Sequence, residues 1–115
     1  MIVNMTPHAI RIRIDASNDA VALSSDIVLQ PCGTVARVSA TSVADGDVDG
    51  IPSYHTVYGS VQDLPDPQPD TICVVSALVI ATSPPDRSDL RGPLTDRTAI
   101  RDAAGLIFAV RGLQH

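Results

Sequence analysis

Lysine, glutamate and tryptophan are absent from this 115-residue chain, and phenylalanine occurs once. Every basic residue is an arginine and every acidic residue an aspartate. Codon bias in a GC-rich genome is the simplest source of this pattern, but it has structural consequences. Lys and Glu are common in exposed helices, whereas Asp favours caps and turns. A core without large aromatics has to be assembled from Val, Ile, Leu and Ala. Long hydrophobic runs are also missing. The longest apolar stretch, residues 71–81, has about ten apolar residues, too few to cross a bilayer as a helix. No basic segment leads into an apolar one at the N-terminus, so no signal peptide is read. The expectation is a soluble, cytoplasmic protein that does not engage a membrane.

Charge of one sign is also in short supply. The net charge is −5. Duplex nucleic acid needs a basic face to engage phosphates, so it is excluded as the expected partner. A small anionic ligand held by two or three arginines is not excluded. Cys32 and Cys73 are isolated and belong to no Cys-x-x-Cys. Free thiols are the default in a reducing compartment, and a disulfide between the two stays open. At this length one domain, residues 1–115, is expected.

The apolar run organises the rest. Ile72, Cys73, Val74 and Val75 read as a buried strand without alternation, and residues 77–81 suit a short helix. Upstream, Ile10, Ile12 and Ile14 alternate with Arg11 and Arg13, which reads as a half-buried strand with both arginines outward. Residues 15–19 form a turn cluster. Residues 20–23 and 26–29 are short strand candidates. Residues 34–39 alternate again, with Val35 and Arg37 on one face, so Arg37 is a candidate for partial burial. Residues 45–50 read as an acidic loop. Residues 51–61 read as a long strand, interrupted near Pro52, with a bulge or bend at Gly59. The proline-rich segment 64–70 can be only a connector. Residues 98–102 and 106–110 flank a turn and form a C-terminal hairpin. The fold class is α+β: a single β-rich domain, mainly antiparallel sheet, with one short helix after the central apolar strand.

The chemistry-bearing patterns are sparse. Asp45, Asp47, Asp49 and Gly50 resemble the opening of a calcium loop, but Thr56 stands where a bidentate Glu is needed. His8, His55 and His115 have no metal-ligand spacing. Ser24, Ser25 and Ser76 sit in no nucleophile motif. No catalytic residue, metal or cofactor is therefore expected, and an enzyme ranks last. Arg87, Arg91, Arg97 and Arg101 crowd the last third among Asp89, Asp96 and Asp102. Surface ion pairs explain any one of them. Together they suit a phosphate clamp, because guanidinium forks match phosphate oxygens.

Several short motifs occur in order along nearly the whole chain. They are Met5-Thr6-Pro7-His8, Val35-Ala36-Arg37-Val38, Gly50-Ile51-Pro52, Gly59-Ser60-Val61-Gln62-Asp63-Leu64-Pro65, Thr71-Ile72-Cys73-Val74-Val75-Ser76, Arg87-Ser88-Asp89-Leu90 and Arg101-Asp102-Ala103-Ala104-Gly105. With them the chain resembles a family of small phage and prophage proteins that begin Leu-Thr-Pro-His and end Arg-Asp-x-x-Gly. Met5 departs from the usual Leu, and Cys73 from the usual Tyr. The family is similar to the first-described type of phage sponge that defeats Thoeris defence. Such sponges are oligomers that bind a cyclic ADP-ribose isomer, and in some members cyclic oligonucleotides, without cleaving it. The resemblance implies sequestration of a small anionic nucleotide. On that reading Arg37, Arg87 and Arg101 hold phosphates, while Ser76, Asp89 and Asn4 hydrogen-bond ribose or backbone. Adenine would stack on an aromatic, and only Tyr54, Tyr58 and Phe108 are available. The alternative is a small oligomeric phage structural or interaction protein without a small-molecule ligand. A homo-oligomer is expected in either case, formed by burying a strand edge against another copy.

Overall fold

The apolar run forms the strand around which the head of the molecule is built. In the computed structural model, which describes residues 1–115, β6 (Ile72–Val74) lies between β1 (Ile2–Asn4) and β7 (Leu90–Pro93), with β10 (Leu113–Gln114) beyond β7. Both neighbours run parallel to β6, and only β10 is antiparallel to its partner. The molecule is β-rich with one short helix, as expected, and its hairpins are antiparallel. Most strand pairings are antiparallel, as expected; the two parallel pairs are those of β6 in the central sheet. The chain leaves β6 into α1 (Ala77–Thr82) and returns as β7, the crossover that a parallel pair requires.

This arrangement explains why β6 shows no alternation. Cys73 and Val75 pack on one face with Met5, Ala36, Val79 and Leu90, while Val74 packs on the other with Ile10 and Val110. A strand covered on both faces has no polar side. Helix α1 starts where Ser76 Oγ accepts the Val79 N–H at 3.3 Å, a side-chain N-cap. It ends at Ser83, ahead of two prolines that cannot continue it. The helix lies close over Gly92, where a Cβ would come within 3.3 Å of the Val75 carbonyl oxygen and 3.4 Å of Ile80 Cδ1.

Beside the head, β2 (Ile10–Ile12) pairs antiparallel with β3 (Ile27–Leu29). The expected alternation breaks after Ile12. Arg13 is 1% exposed and Ile14 is 65% exposed, the reverse of the sequence pattern. Arg13 turns inward because the following loop surrounds its guanidinium with oxygens. Nε donates to Asp26 Oδ1 at 2.6 Å, and Nη1 to the Ser17 and Asp19 carbonyls at 3.0 Å each. Nη2 donates to the Val21 carbonyl at 2.8 Å and to Asp26 Oδ2 at 3.3 Å. All five N–H donors are satisfied. Arg11 reaches the same carboxylate at 3.0 Å and lies 5.3 Å over the Phe108 ring. Arg111 donates to the carbonyls of Asp15 and Ser17. Residues 20–23 therefore follow these arginines and form no strand.

The C-terminal hairpin is present but short: β8 (Ile100–Arg101) pairs with β9 (Ile107–Ala109). The largest departure lies mid-chain. β4 (Arg37–Val48) and β5 (Ile51–Gln62) form a hairpin of 12 residues per strand. The expected acidic loop is the end of this hairpin. Its only turn is Asp49-Gly50, both with positive φ (49° and 80°), which is what a two-residue type I′ turn requires. At the base Val38 and Val61 pack on the core. Beyond them the hairpin projects as an arm. The radius of gyration is 17.2 Å, against roughly 13 Å for a compact chain of this length.

No helix is long and apolar enough to cross a membrane.

Candidate functional site

The six residues expected to hold a ligand fall into three groups. Asn4 is 2% exposed and fully committed. Its Nδ2 donates to the His8 and Leu29 carbonyls at 2.9 Å each, and its Oδ1 accepts from Thr6 N–H at 3.0 Å and Thr6 Oγ1 at 2.6 Å. It thus folds the Met5-Thr6-Pro7-His8 corner against β3. Ser76 caps α1 and is the one member of the six that lines a cavity, one of about 360 Å³ with Thr6, His8 and Gly92.

Arg87 and Asp89 form a fork-to-fork pair, with Nε–Oδ1 and Nη2–Oδ2 both 2.9 Å. Arg87 Nη2 also donates to the Pro65 carbonyl at 2.9 Å. The pair ties the α1–β7 crossover to the proline-rich connector. The hydrogen bond from Arg87 holds the Asp89 carboxyl below its ordinary range, and the same contact raises Arg87.

Arg37 and Arg101 are exposed. Arg37 stands at the base of the arm, on the face away from Val38, and makes no hydrogen bond or ion pair; its expected partial burial is not found. Arg101 Nη1 donates to the Gly105 carbonyl at 2.9 Å. That contact, with Asp102 Oδ1 accepting from Ala104 and Leu106 N–H, closes the β8–β9 turn. Arg37, Arg87 and Arg101 stand on three different elements, and none lines any of the three cavities.

The largest cavity, about 770 Å³, opens on the other side of the connector. Its floor is β1 and β6, through Met1, Val3, Met5 and Cys73, and its rim carries Asp63 and Asp66. No basic side chain lines it. Cys32 and Cys73 both face it but flank β1 from opposite sides, since Cys73 pairs with Val3 while the Cys32 N–H donates to the Asn4 carbonyl. Two strand spacings, about 9–10 Å, are more than a disulfide spans. Both thiols are free, and burial pushes Cys73 up. No three His, Cys, Asp or Glu side chains converge.

The arm is the feature that sequence reasoning missed. Directly paired residues of an antiparallel ladder share a face. Ala40 pairs with Tyr58, Ser42 with Thr56 and Ala44 with Tyr54, so these six line one face. It continues the face that carries Val38 and Val61 into the core. These six bear no charge, and Tyr54 and Tyr58 are 61% and 49% exposed; toward the tip the same face continues through the Asp47–Pro52 pair, which adds one carboxylate. The other face holds Thr41, Val43, Val57 and the His55–Asp45 contact at 3.4 Å. Register shifts at Gly59-Ser60 and Asp45-Gly46 mark bulges at both ends. The signal was available: Asp-Gly between two runs of strand formers is a strong hairpin pattern.

No family model matches the chain, and no curated protein or solved structure matches it significantly.

Proposed function

We propose that this chain is a small interaction protein of the structural kind, a compact head that presents a β-arm to a protein partner, rather than a ligand sponge. The observation that supports this reading is the arm itself. A lone two-stranded hairpin is marginal in water, yet here a hairpin of 12 residues per strand projects beyond its packed base, Val38 and Val61, with a tyrosine-bearing face of low charge uncovered. Exposed aromatic faces depleted of charge are the mark of interface cores. Of the residues expected to hold a ligand, Arg37 makes no internal contact, but Asn4, Ser76, Arg87, Asp89 and Arg101 each complete a corner, a cap, a crossover or a turn. The resemblance to small phage proteins gives the setting in which such a subunit works.

The sponge reading keeps one specific support, the 770 Å³ cavity, which is within the range of small-molecule sites. Its acidic rim suits an anionic nucleotide poorly, so that reading needs arginines from a neighbouring subunit. Native mass spectrometry of the protein taken from cells making cyclic nucleotide signals separates the two. The interaction reading expects a protein assembly without added small-molecule mass. A captured mass in the cyclic-nucleotide range, released intact on heating and lost in Arg87→Ala, rejects it and installs the sponge. A bare monomer rejects it as well.

A further inference from the structure

The interaction reading leaves the partner open, and the arm's own surface narrows it. On the tyrosine face, β5 carries Tyr54 and Tyr58 with Thr56 between them, while the paired positions on β4 are the small Ala44, Ala40 and Ser42. A ridge of tyrosines therefore runs along one edge of the face and a trough of small residues along the other. Such a face is complementary to itself under one symmetry operation. A two-fold axis running along the arm, in the plane of contact, lays each ridge into the trough of the other copy. A two-fold axis across the arm would set ridge on ridge.

Resting on the interaction reading, we propose that the partner is a second copy of this chain, with the two arms packed face to face, side by side and pointing the same way.

Four further observations support a second copy as the occupant. The surface area is 7464 Å², whereas a compact monomer of 12.1 kDa exposes roughly 6,000 Å². The excess exceeds the roughly 800 Å² per partner that a standard interface removes. The uncovered face is the outward continuation of the face whose base, Val38 and Val61, is already packed on the core, so the missing layer extends an existing one. Edge-to-edge pairing, the arrangement expected from sequence, is disfavoured. The bulges at Gly59-Ser60 and at Asp45-Gly46, where Gly46 has φ +98°, interrupt both strands, and bulges blunt edges against further pairing. Charges are few on the contact: Asp45 and His55 face the other side and Asp49 lies in the turn, while Asp47, paired with Pro52 near the tip, is the one carboxylate on this face. The interface is isologous and therefore closes as a dimer.

The test uses two single variants in a Cys32→Ser background, Ser42→Cys and Thr56→Cys, each refolded alone and also together, then oxidised. The along-arm axis places residue 42 of one copy against residue 56 of the other. Disulfide-linked dimer is expected in the mixture, with several-fold less in either variant alone. Separately, Tyr54→Ala and Tyr58→Ala are each expected to weaken self-association by roughly thirtyfold or more. The melting temperature of the head serves as the folding control. Thr56→Cys cross-linking to itself as well as the mixture does would overturn the proposed axis. Unchanged association in both tyrosine variants would overturn the interface. Either result, with a protein assembly still present, leaves the interaction reading standing. A captured nucleotide on a monomer removes that reading itself.

Discussion

Replacing Arg13 by lysine tests the least expected feature of the head. The charge is kept, so only the geometry of donation changes. The arginine meets five acceptor atoms: both oxygens of Asp26 and the carbonyls of Ser17, Asp19 and Val21. Asp26 Oδ2 keeps the Arg11 and Leu23 donors and the Ser17 carbonyl keeps Arg111, so Asp26 Oδ1 and the Asp19 and Val21 carbonyls depend on Arg13 alone. A lysine ammonium carries its three donors on one nitrogen and cannot reach both the Nε and the Nη1 side of the guanidinium, which leaves at least one of these three unpartnered at a site that is 1% exposed. Each buried acceptor left without a donor costs about 1–3 kcal/mol, so Arg13→Lys is expected to destabilise by about 1–3 kcal/mol. That is a large share of the roughly 5–15 kcal/mol typical of a domain. Urea unfolding followed by circular dichroism gives the total, and amide exchange should show protection lost first across residues 15–26. A change below about 1 kcal/mol, with exchange in that loop unaltered, would show that the loop does not depend on this guanidinium.

Three other outcomes follow from the same geometry. The hydrogen bond from Arg13 holds the Asp26 carboxyl at about 2, below its ordinary 3.8. The unfolded chain therefore takes up this proton first on acidification. The stabilisation is fully present above about pH 4 and is lost as pH falls toward 2, and thermal melts across that window should show a steeper decline in wild type than in Asp26→Asn. Asn4→Ala removes four hydrogen bonds at a buried corner and is expected to cost about 2–4 kcal/mol in chemical unfolding. Gly92→Val places methyl groups where a Cβ already meets the Val75 carbonyl oxygen at 3.3 Å. It should lift α1 and destabilise by about 1–3 kcal/mol, which a melt at neutral pH reads directly.

The elements most legible in the sequence were those decided locally. Residues 72–75 are apolar and largely β-branched. Ser76 is a good cap, Ala77, Leu78 and Ala81 form helix well, and Pro84-Pro85 stops it, so strand and helix fall where the pattern puts them. The burial of β6 was legible in its missing alternation, whereas its parallel pairing was not read, although burial on two faces is the mark of parallel strands. The acidic run hid the arm. Asp45, Asp47 and Asp49 read as a solvated loop, although two-residue Asp-Gly turns join long strands. Arg13 was not legible. Its burial depends on acceptors spread from Ser17 to Asp26, which come together only after the loop closes. The candidate site suffered the same ambiguity in reverse. Arg87 with Asp89, and Arg101 with Gly105, recur as short motifs, but short motifs of this kind also encode crossovers and turns. Here each contact is internal to the head.

The most direct measurement is sedimentation equilibrium of the intact chain beside Tyr54→Ala/Tyr58→Ala. The account predicts that wild type has twice the 12.1 kDa chain mass at micromolar concentration, and that the double variant has a single chain's mass with an unchanged head melting temperature. Equal masses for the two proteins, whether one chain or two, would contradict it.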